Sequence, residues 1–280
     1  MPSPRTRVSA AVGFLHPGAM GASLAATCGG TRLWCGDGRT EITRARADAA
    51  GMVDVGSLSN LATAADVIIS VCPPGAATAV ARDVVAAGFD GIYVDVNAIS
   101  PATAREIGAT FDRFVDGGVV GPPVQSAGST RLYLSGDEAP RIADLWAGSP
   151  LETRIIDGGA GAASAVKVCY AAWTKGTAAL LLTIRALATA ECVEDALLAE
   201  WATSLPGLAA QSERAAIGNA PKAWRFVGEM DEIAASFAAH GLPDGFSTAA
   251  AGVYDRLAGF KDTTGVTLDA VIEALNGPGS

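Results

Sequence analysis

The chain has 280 residues, half of them hydrophobic, and a formal net charge of −9; that is enough for two domains with their own cores, and the acidic balance disfavours nucleic acid as a partner. Its five cysteines form no C-x-x-C pair and its two histidines no cluster, which removes a disulfide framework or a metal site from consideration. No apolar run reaches the roughly 18 residues of a membrane span, and the first residues lead into a Gly-rich turn rather than a cleavage site, so a soluble, cytoplasmic protein is expected.

Residues 7–15 (RVSAAVGFL) read as a strand broken by Gly13, His16-Pro17 and Gly18, with the Ala-rich 19–27 as the helix that follows. Segment 31–35 (TRLWC) is the second strand, 41–50 a helix, and 66–72 (DVIISVC) an apolar strand stopped by Pro73-Pro74. A helix over 76–87, a strand over 91–96 (GIYVDV), a helix starting at Ser100-Pro101 and strands over 113–120 and 130–135 continue the alternation. This predicts a doubly wound, mostly parallel sheet. Beyond Ile155-Ile156-Asp157 no strand-like run recurs and Ala, Leu and Glu dominate. The boundary is placed there, giving an α/β Rossmann domain over 1–157 and an all-α domain over 158–280. Residues 161–190 carry only Lys167, Lys175 and Arg185 as charges, which predicts a long helix buried between domains or subunits, and hence a homodimer. Segments 194–204, 222–240, 247–257 and 268–275 predict further helices.

Gly13-Phe14-Leu15-His16-Pro17-Gly18-Ala19-Met20-Gly21 falls between the first strand and the first helix, where a dinucleotide's pyrophosphate needs close backbone approach and helix amides pointing at it. His16-Pro17 interrupts the usual G-x-G-x-x-G spacing. His16 reads equally as a phosphate or substrate contact and as a structural turn residue. After the second strand, Asp37 would hold the ribose hydroxyls of NAD, whereas Arg39-Thr40 would hold the 2′-phosphate of NADP. NADP is favoured, with NAD the alternative.

The turn at 13–21, Val94-Asp95-Val96-Asn97, Asp116-Gly117-Gly118-Val119-Val120-Gly121 and Gly158…Gly161…Lys167 resemble, in order, the four motifs of the β-hydroxyacid dehydrogenase and 6-phosphogluconate dehydrogenase superfamily. His16-Pro17-Gly18, Pro73-Pro74 and residues 171–176 (AAWTKG) look like a branch with a divergent C-terminal helical domain (DUF1932-type). The resemblance implies a nicotinamide-dependent oxidoreductase acting on a small hydroxy or oxo compound, with Lys167 as general acid/base. It also implies Cys72, Pro73 and Pro74 on the cofactor side, Asn97 near nicotinamide and substrate, and Gly121 and Pro122 on the substrate side. The chemistry of Lys167 agrees, because an ammonium on an otherwise apolar helix is desolvated and its pKa falls toward the working range. Asn97 reads equally as a cap for the turn before Ser100-Pro101.

Three positions depart from the family pattern. Ala171 stands where an asparagine follows the lysine. At about 100° per residue, Tyr170 and Thr174 share the Lys167 face and could replace that group, while Lys175, about 80° away, is a substrate-side candidate. Pro122 and Pro123 offer no N–H to a carboxylate, and the second lysine of the helical domain is missing near Met230-Asp231. These departures keep two other readings open: an imine reductase-like enzyme, and an NADP-binding protein without turnover. Ser126, Thr130 and Arg131 lie in the substrate-side loop and strand, Arg131 either clamping an anion or in a surface ion pair. Trp173, Trp224 and Phe246 read as packing residues, and Cys169 and Cys192 as buried small hydrophobes.

Overall fold

The structure, a computed structural model, describes residues 10–277; residues 7–9 of the predicted first strand lie outside them. The chain divides into two compact units, Met1–Lys167 and Val168–Ser280. The sequence boundary at 157/158 marks where strands cease, whereas the division in space falls inside a helix that begins in the first unit and continues in the second.

In chain order the first unit holds β1 (Ala11–Phe14), α1 (Ala19–Thr27), β2 (Thr31–Trp34), α2 (Glu41–Ala49), β3 (Val53–Asp54), α3 (Leu58–Ala64) and β4 (Val67–Ser70). There follow α4 (Ala77–Ala86), β5 (Ile92–Asp95), α5 (Pro101–Gly108), β6 (Phe114–Val120), β7 (Arg131–Ser135), α6 (Ala139–Ala143) and β8 (Glu152–Ile155). The strands form one sheet in the order β3-β2-β1-β4-β5-β6-β7-β8. Every pairing is parallel except the β6–β7 hairpin. The central strands are apolar throughout because both faces are covered. Val12, Phe14, Ile69 and Val94 pack on one face with Leu24 and Trp146, and the intervening Ile68 and Tyr93 pack on the other with Leu61 and Ile107.

At the carboxyl edge of β4 and β5 the pattern changes to polar. Ser70 pairs with Asp95, Asp95 with Asp116 and Asp116 with Ser135, and all four are fully buried. The β6–β7 hairpin continues past this row through Gly117–Val120.

β3, α3, α6, β8 and α9 (Leu208–Asn219) are absent from the sequence reading. β3 is two exposed residues at the sheet edge, β8 buries no side chain, and the buried face of α9 is Ser212, Ala215 and Ala216. None of them carries the strong apolar period on which such readings depend.

The second unit continues α7 (Ala162–Ala190) and adds α8 (Glu194–Ser204), α9, α10 (Ala223–Ala238), α11 (Gly245–Arg256) and α12 (Leu268–Asn276). Val168, Ala171, Ala178 and Leu182 of α7 pack with Phe226, Met230 and Tyr254. The opposite side of α7 leaves Tyr170, Trp173, Leu180 and Leu187 exposed. Two expectations need correction. Trp173 and Phe246 are 71% and 87% exposed, not packed, and Trp224 is partly exposed with the Lys261 ammonium 4.3 Å from its ring centre. Cys169 and Cys192 are exposed rather than buried, Cys192 in a left-handed turn (φ 57°) after α7. Composition marks such residues as apolar but cannot say which apolar stripe the chain itself covers. Among the described residues no helix is long and apolar enough to cross a membrane, and no group of three or more His, Cys, Asp or Glu could hold a metal ion.

Candidate functional site

The Gly-rich turn is built by backbone geometry. Leu15 N–H donates to the Ile69 carbonyl at 3.1 Å, so the chain follows the sheet one residue past β1. It then turns: Gly18 N–H donates to the His16 carbonyl and Ala22 N–H to the Gly18 carbonyl, both at 2.8 Å. A Cβ on Gly21 would lie 2.3 Å from the His16 oxygen, whereas one on Gly18 would meet nothing within 4 Å. Gly21 is therefore needed for the turn itself, and Gly18 leaves open space at the amino end of α1. Among the described residues no side chain caps that end, so the first-turn amides, which include those of Ala19, Met20 and Gly21, keep the donors that a phosphate could satisfy. Pro17, between them and His16, has no N–H to add. His16 Nδ1 is buried without a hydrogen-bond partner among the described residues. Burial, and then the Arg39 charge, push His16 down to about 4, so the imidazole is neutral at neutral pH.

Beside the turn opens a cleft of about 210 Å³ lined by residues that include Leu15, His16, Cys35, Asp37, Arg39 and Asp83. Arg39 Nη2 donates to the Leu15 carbonyl at 3.3 Å, which brings the residue after β2 to the turn after β1. Thr40 caps α2, its hydroxyl accepting the Thr43 N–H at 3.3 Å. The loop is held from below by Asp54, whose Oδ1 accepts the Gly36 and Gly56 amides at 2.8 Å each and whose Oδ2 meets Arg44 Nη1 at 3.1 Å. Asp37 and Arg39 line the same cleft, so the two signals that conflict in sequence are also neighbours in space. Asp83, arriving from α4, is a lining residue that sequence reasoning missed, because nothing local marks it.

Asn97 is fully engaged. Its Oδ1 accepts the Cys72 amide at 2.6 Å, and its Nδ2 donates to Ser70 Oγ and Asp95 Oδ2 at 3.1 and 2.8 Å. It thus fixes the start of the Cys72-Pro73-Pro74 turn, while Ser100 caps α5 by accepting the Thr103 N–H. Burial pushes Asp95 up to about 7 against the pull of the Asn97 hydrogen bonds, with the Asp116 charge adding to the rise.

The loop after β6 closes on itself. A Cβ on Gly121 (φ 122°) would lie 2.3 Å from the Ser129 oxygen, and Thr130 Oγ1 donates to the Pro122 carbonyl at 2.6 Å. Ser129 N–H donates to the Ser126 carbonyl, and Arg131 Nη1 to the Gly128 carbonyl at 3.0 Å. Val124 N–H donates to Ser23 Oγ on α1 at 3.1 Å, joining this loop to the helix that follows the Gly-rich turn. Lys167 belongs to the same unit: a Cβ on Gly118 would lie 3.0 Å from Lys167 Cβ.

Tyr170, Thr174 and Lys175 follow on α7 within the second unit. Tyr170 is half-exposed, and Thr174 Oγ1 donates to the Tyr170 carbonyl at 3.1 Å. Lys175 is paired with Glu229, and its ammonium sits 4.7 Å from the Phe226 ring centre. Glu229, just before Met230-Asp231, accounts for this lysine's charge inside the helical unit.

Comparison with known proteins agrees with this architecture. Residues 188–257 match a domain of unknown function, DUF1932. An uncharacterized 28.5 kDa protein in the 7S RNA 5′ region of Methanothermus fervidus is 32% identical over 167 residues, 59% of this chain; the match spans 64% of that relative's length. The conserved protein MTH1747, of unknown function and described as structurally similar to 3-hydroxyacid dehydrogenases, superposes with a TM-score of 0.67 at 27% identity, over 89% of this chain and 97% of its own. The Mycobacterium tuberculosis 3-hydroxyisobutyrate dehydrogenase with L-serine gives 0.68 at 22% identity, over 94% and 98%. A reductive aminase from Aspergillus terreus in complex with NADPH and ethyl levulinate gives 0.56 at 17%, over the same shares. In its sheet order, its Gly-rich turn and its helical segment at 188–257, the chain shares the fold of proteins described as similar to 3-hydroxyacid dehydrogenases and carries a DUF1932-type segment in its helical half.

Proposed function

We propose that the protein is a nicotinamide-dependent oxidoreductase that transfers a hydride between NADP(H) and a small hydroxy or oxo compound, with Lys167 as the general acid/base. The observation that carries this reading is the shared placement of two features at one sheet edge. The uncapped, open amino end of α1 follows β1, and the stem of Lys167 rests on the β6–β7 hairpin that projects past the ends of β4 and β5. Binding sites of doubly wound sheets lie at this carboxyl edge. The orphaned Nδ1 of His16 and the space beside Gly18 are the local features that suit a dinucleotide.

The cofactor, when bound, supplies or accepts the hydride. Ala19, Met20 and Gly21 hold the pyrophosphate through their amides. Arg39 reads the 2′-phosphate, with Asp37 as the competing reader of an NAD ribose. Asn97 keeps the Cys72 turn in shape rather than spending its amide on substrate. Lys167 gives a proton to the carbonyl oxygen in reduction and takes it from the hydroxyl in oxidation. A hydroxy acid is the first substrate class to try, because the resemblance implies it and a 3-hydroxyisobutyrate dehydrogenase shares the fold. A homodimer is part of the same reading: Tyr170, Trp173, Leu180 and Leu187 recur three and seven residues apart on the exposed side of α7, an apolar stripe that a second copy would cover. The site of action is the cytoplasm.

Pro122 and Pro123 favour one second reading, imine reduction, because a turn without N–H donors suits a substrate without a carboxylate. The test is NADPH consumption against a panel of 3-oxo acids, simple ketones and cyclic imines, with Lys167→Met beside the wild type. Turnover on the oxo acids should fall about 10²- to 10⁴-fold in the variant, with NADPH affinity by fluorescence titration unchanged. Retention of more than about a tenth of the rate makes the lysine structural. Preference for imines selects the second reading, and no turnover on any compound selects a cofactor-binding protein.

A further inference from the structure

A carboxylate with no exposure to solvent persists only with several donors, and Asp116 has them. Its Oδ2 accepts the Gly161 and Ser164 amides at 3.0 and 2.9 Å and lies 3.3 Å from Ser135 Oγ; its Oδ1 accepts the Ser164 hydroxyl at 2.6 Å. The Ala163 amide donates to Ser135 Oγ at 3.1 Å. Two side chains from neighbouring strands therefore take three amides at the amino end of α7.

The glycines around Asp116 serve the same seat. Gly161 has φ 94°, and a Cβ there would lie 2.8 Å from both the Pro101 carbonyl oxygen and Arg105 Nη1. Asp116 and Gly118, two residues apart on β6, project from the same face. A Cβ on Gly118 would lie 2.8 Å from the Ala163 oxygen and 3.0 Å from Lys167 Cβ. One strand thus fixes the helix twice, by a carboxylate at its first turn and by a missing side chain under Lys167.

We propose that Asp116 is a positioning residue for Lys167: its carboxylate stands in for a bound anion at the amino end of α7, seats that end on β6, and places a negative charge one turn before the lysine. The inference rests on Lys167 being the proton carrier of the proposed function. An internal anion at a helix amino end offsets the positive end of the helix dipole, and a displaced catalytic group loses rate steeply with distance. The charged residues near the anchor are Asp95 on β5, which feels the Asp116 charge, Arg105 on α5 beside Gly161, and Lys167, whose Cβ lies against Gly118 two residues along β6. Burial pushes the Asp116 carboxyl up, while the Ser164, Gly161 and Ser135 donors pull it down.

The decisive experiment needs no substrate. The chain's lysines are Lys167, Lys175, Lys222 and Lys261, and competitive acetylation with acetic anhydride across a pH series, read by mass spectrometry, gives a titration midpoint for each amine in the full chain. In Asp116→Asn, which keeps the shape and an acceptor oxygen but loses the charge, the Lys167 midpoint should fall by about half a pH unit or more while the other three stay put. Where the substrate panel yields turnover, kcat should fall about tenfold or more with the KM for NADPH unchanged, a split that loss of fold alone does not produce. Should Asp116→Asn fail to fold, Ser164→Ala retains the charge and removes one donor. It should lower kcat about twofold to fivefold and speed amide exchange at residues 161–167 only. A folded Asp116→Asn whose Lys167 midpoint stays or rises overturns the proposal. So does a Ser164→Ala variant with wild-type exchange at 161–167. An inactive wild type would defeat the proposed function and still leave the acetylation and exchange arms to decide the role of Asp116.

Discussion

Two helices begin near the carboxyl edge of this sheet, and they treat their first-turn amides in opposite ways. The amino end of α1 follows a glycine, lacks a side-chain cap and has open space beside Gly18. The amino end of α7 is closed by Asp116 and Ser135, which take the Gly161, Ala163 and Ser164 amides. Both ends begin with the same donors that the helix itself cannot satisfy and the same positive potential. The difference lies in where the compensating oxygen comes from: the protein supplies it to α7, whereas at α1 the proposed cofactor would supply it. A helix closed from within keeps its geometry whether or not a ligand is bound, which suits the helix that carries Lys167.

The contrast can be broken or sharpened by substitution. The largest effect should come from Arg39→Ala, which would remove the proposed charge-assisted contact with the 2′-phosphate, worth about 1.5–3 kcal/mol, and should weaken NADPH by one to two orders of magnitude while sparing NADH; equal losses, or tighter wild-type binding of NADH, would make Asp37 the reader. Gly21→Ala comes next. Its methyl would meet the His16 oxygen, and overpacking of about 1–3 kcal/mol should cut affinity for both cofactors by isothermal titration. Asp116→Asn, the matching change at α7, should leave NADPH affinity within about twofold; comparable losses at both ends would erase the distinction between them.

The smallest effect concerns pH. His16 is held near 4 in the fold against roughly 6.5 in an unfolded chain, so between those values the unfolded state binds a proton that the folded state refuses. Its contribution to stability is present above about pH 6.5 and is lost as pH falls toward 4. The thermal midpoint of the wild type should therefore drop more than that of His16→Gln between pH 7 and 4.5, as followed by circular dichroism. Parallel curves would show that His16 is not a buried neutral imidazole.

The sequence reading and the structure agree most where information is local. The Gly-rich turn lies within nine residues, and the apolar runs of β4 and β5 announce buried strands on their own. What stayed hidden depends on partners far along the chain. Asp116 shows its use only through Ser164, 48 residues later, and Lys175 only through Glu229, 54 residues later. Asn97 could be read as a cap or as a substrate contact, and its bond to the Cys72 amide, 25 residues upstream, is visible in neither reading. Cys169 and Trp173 failed for another reason, since a helix apolar almost all round does not state which stripe its own chain buries.

Ser23 has a consequence for how such a protein can change over time. Its hydroxyl donates to the Met20 carbonyl and takes the Val124 amide across 101 residues of chain. The segment from Gly121 to Thr130 and the helix bearing Met20 and Gly21 therefore inherit their shapes together. A graft of residues 121–130 from a relative would arrive without its support unless position 23 travelled with it, whereas the two transplanted as a pair form a portable cassette, and drift at one should be mirrored by drift at the other.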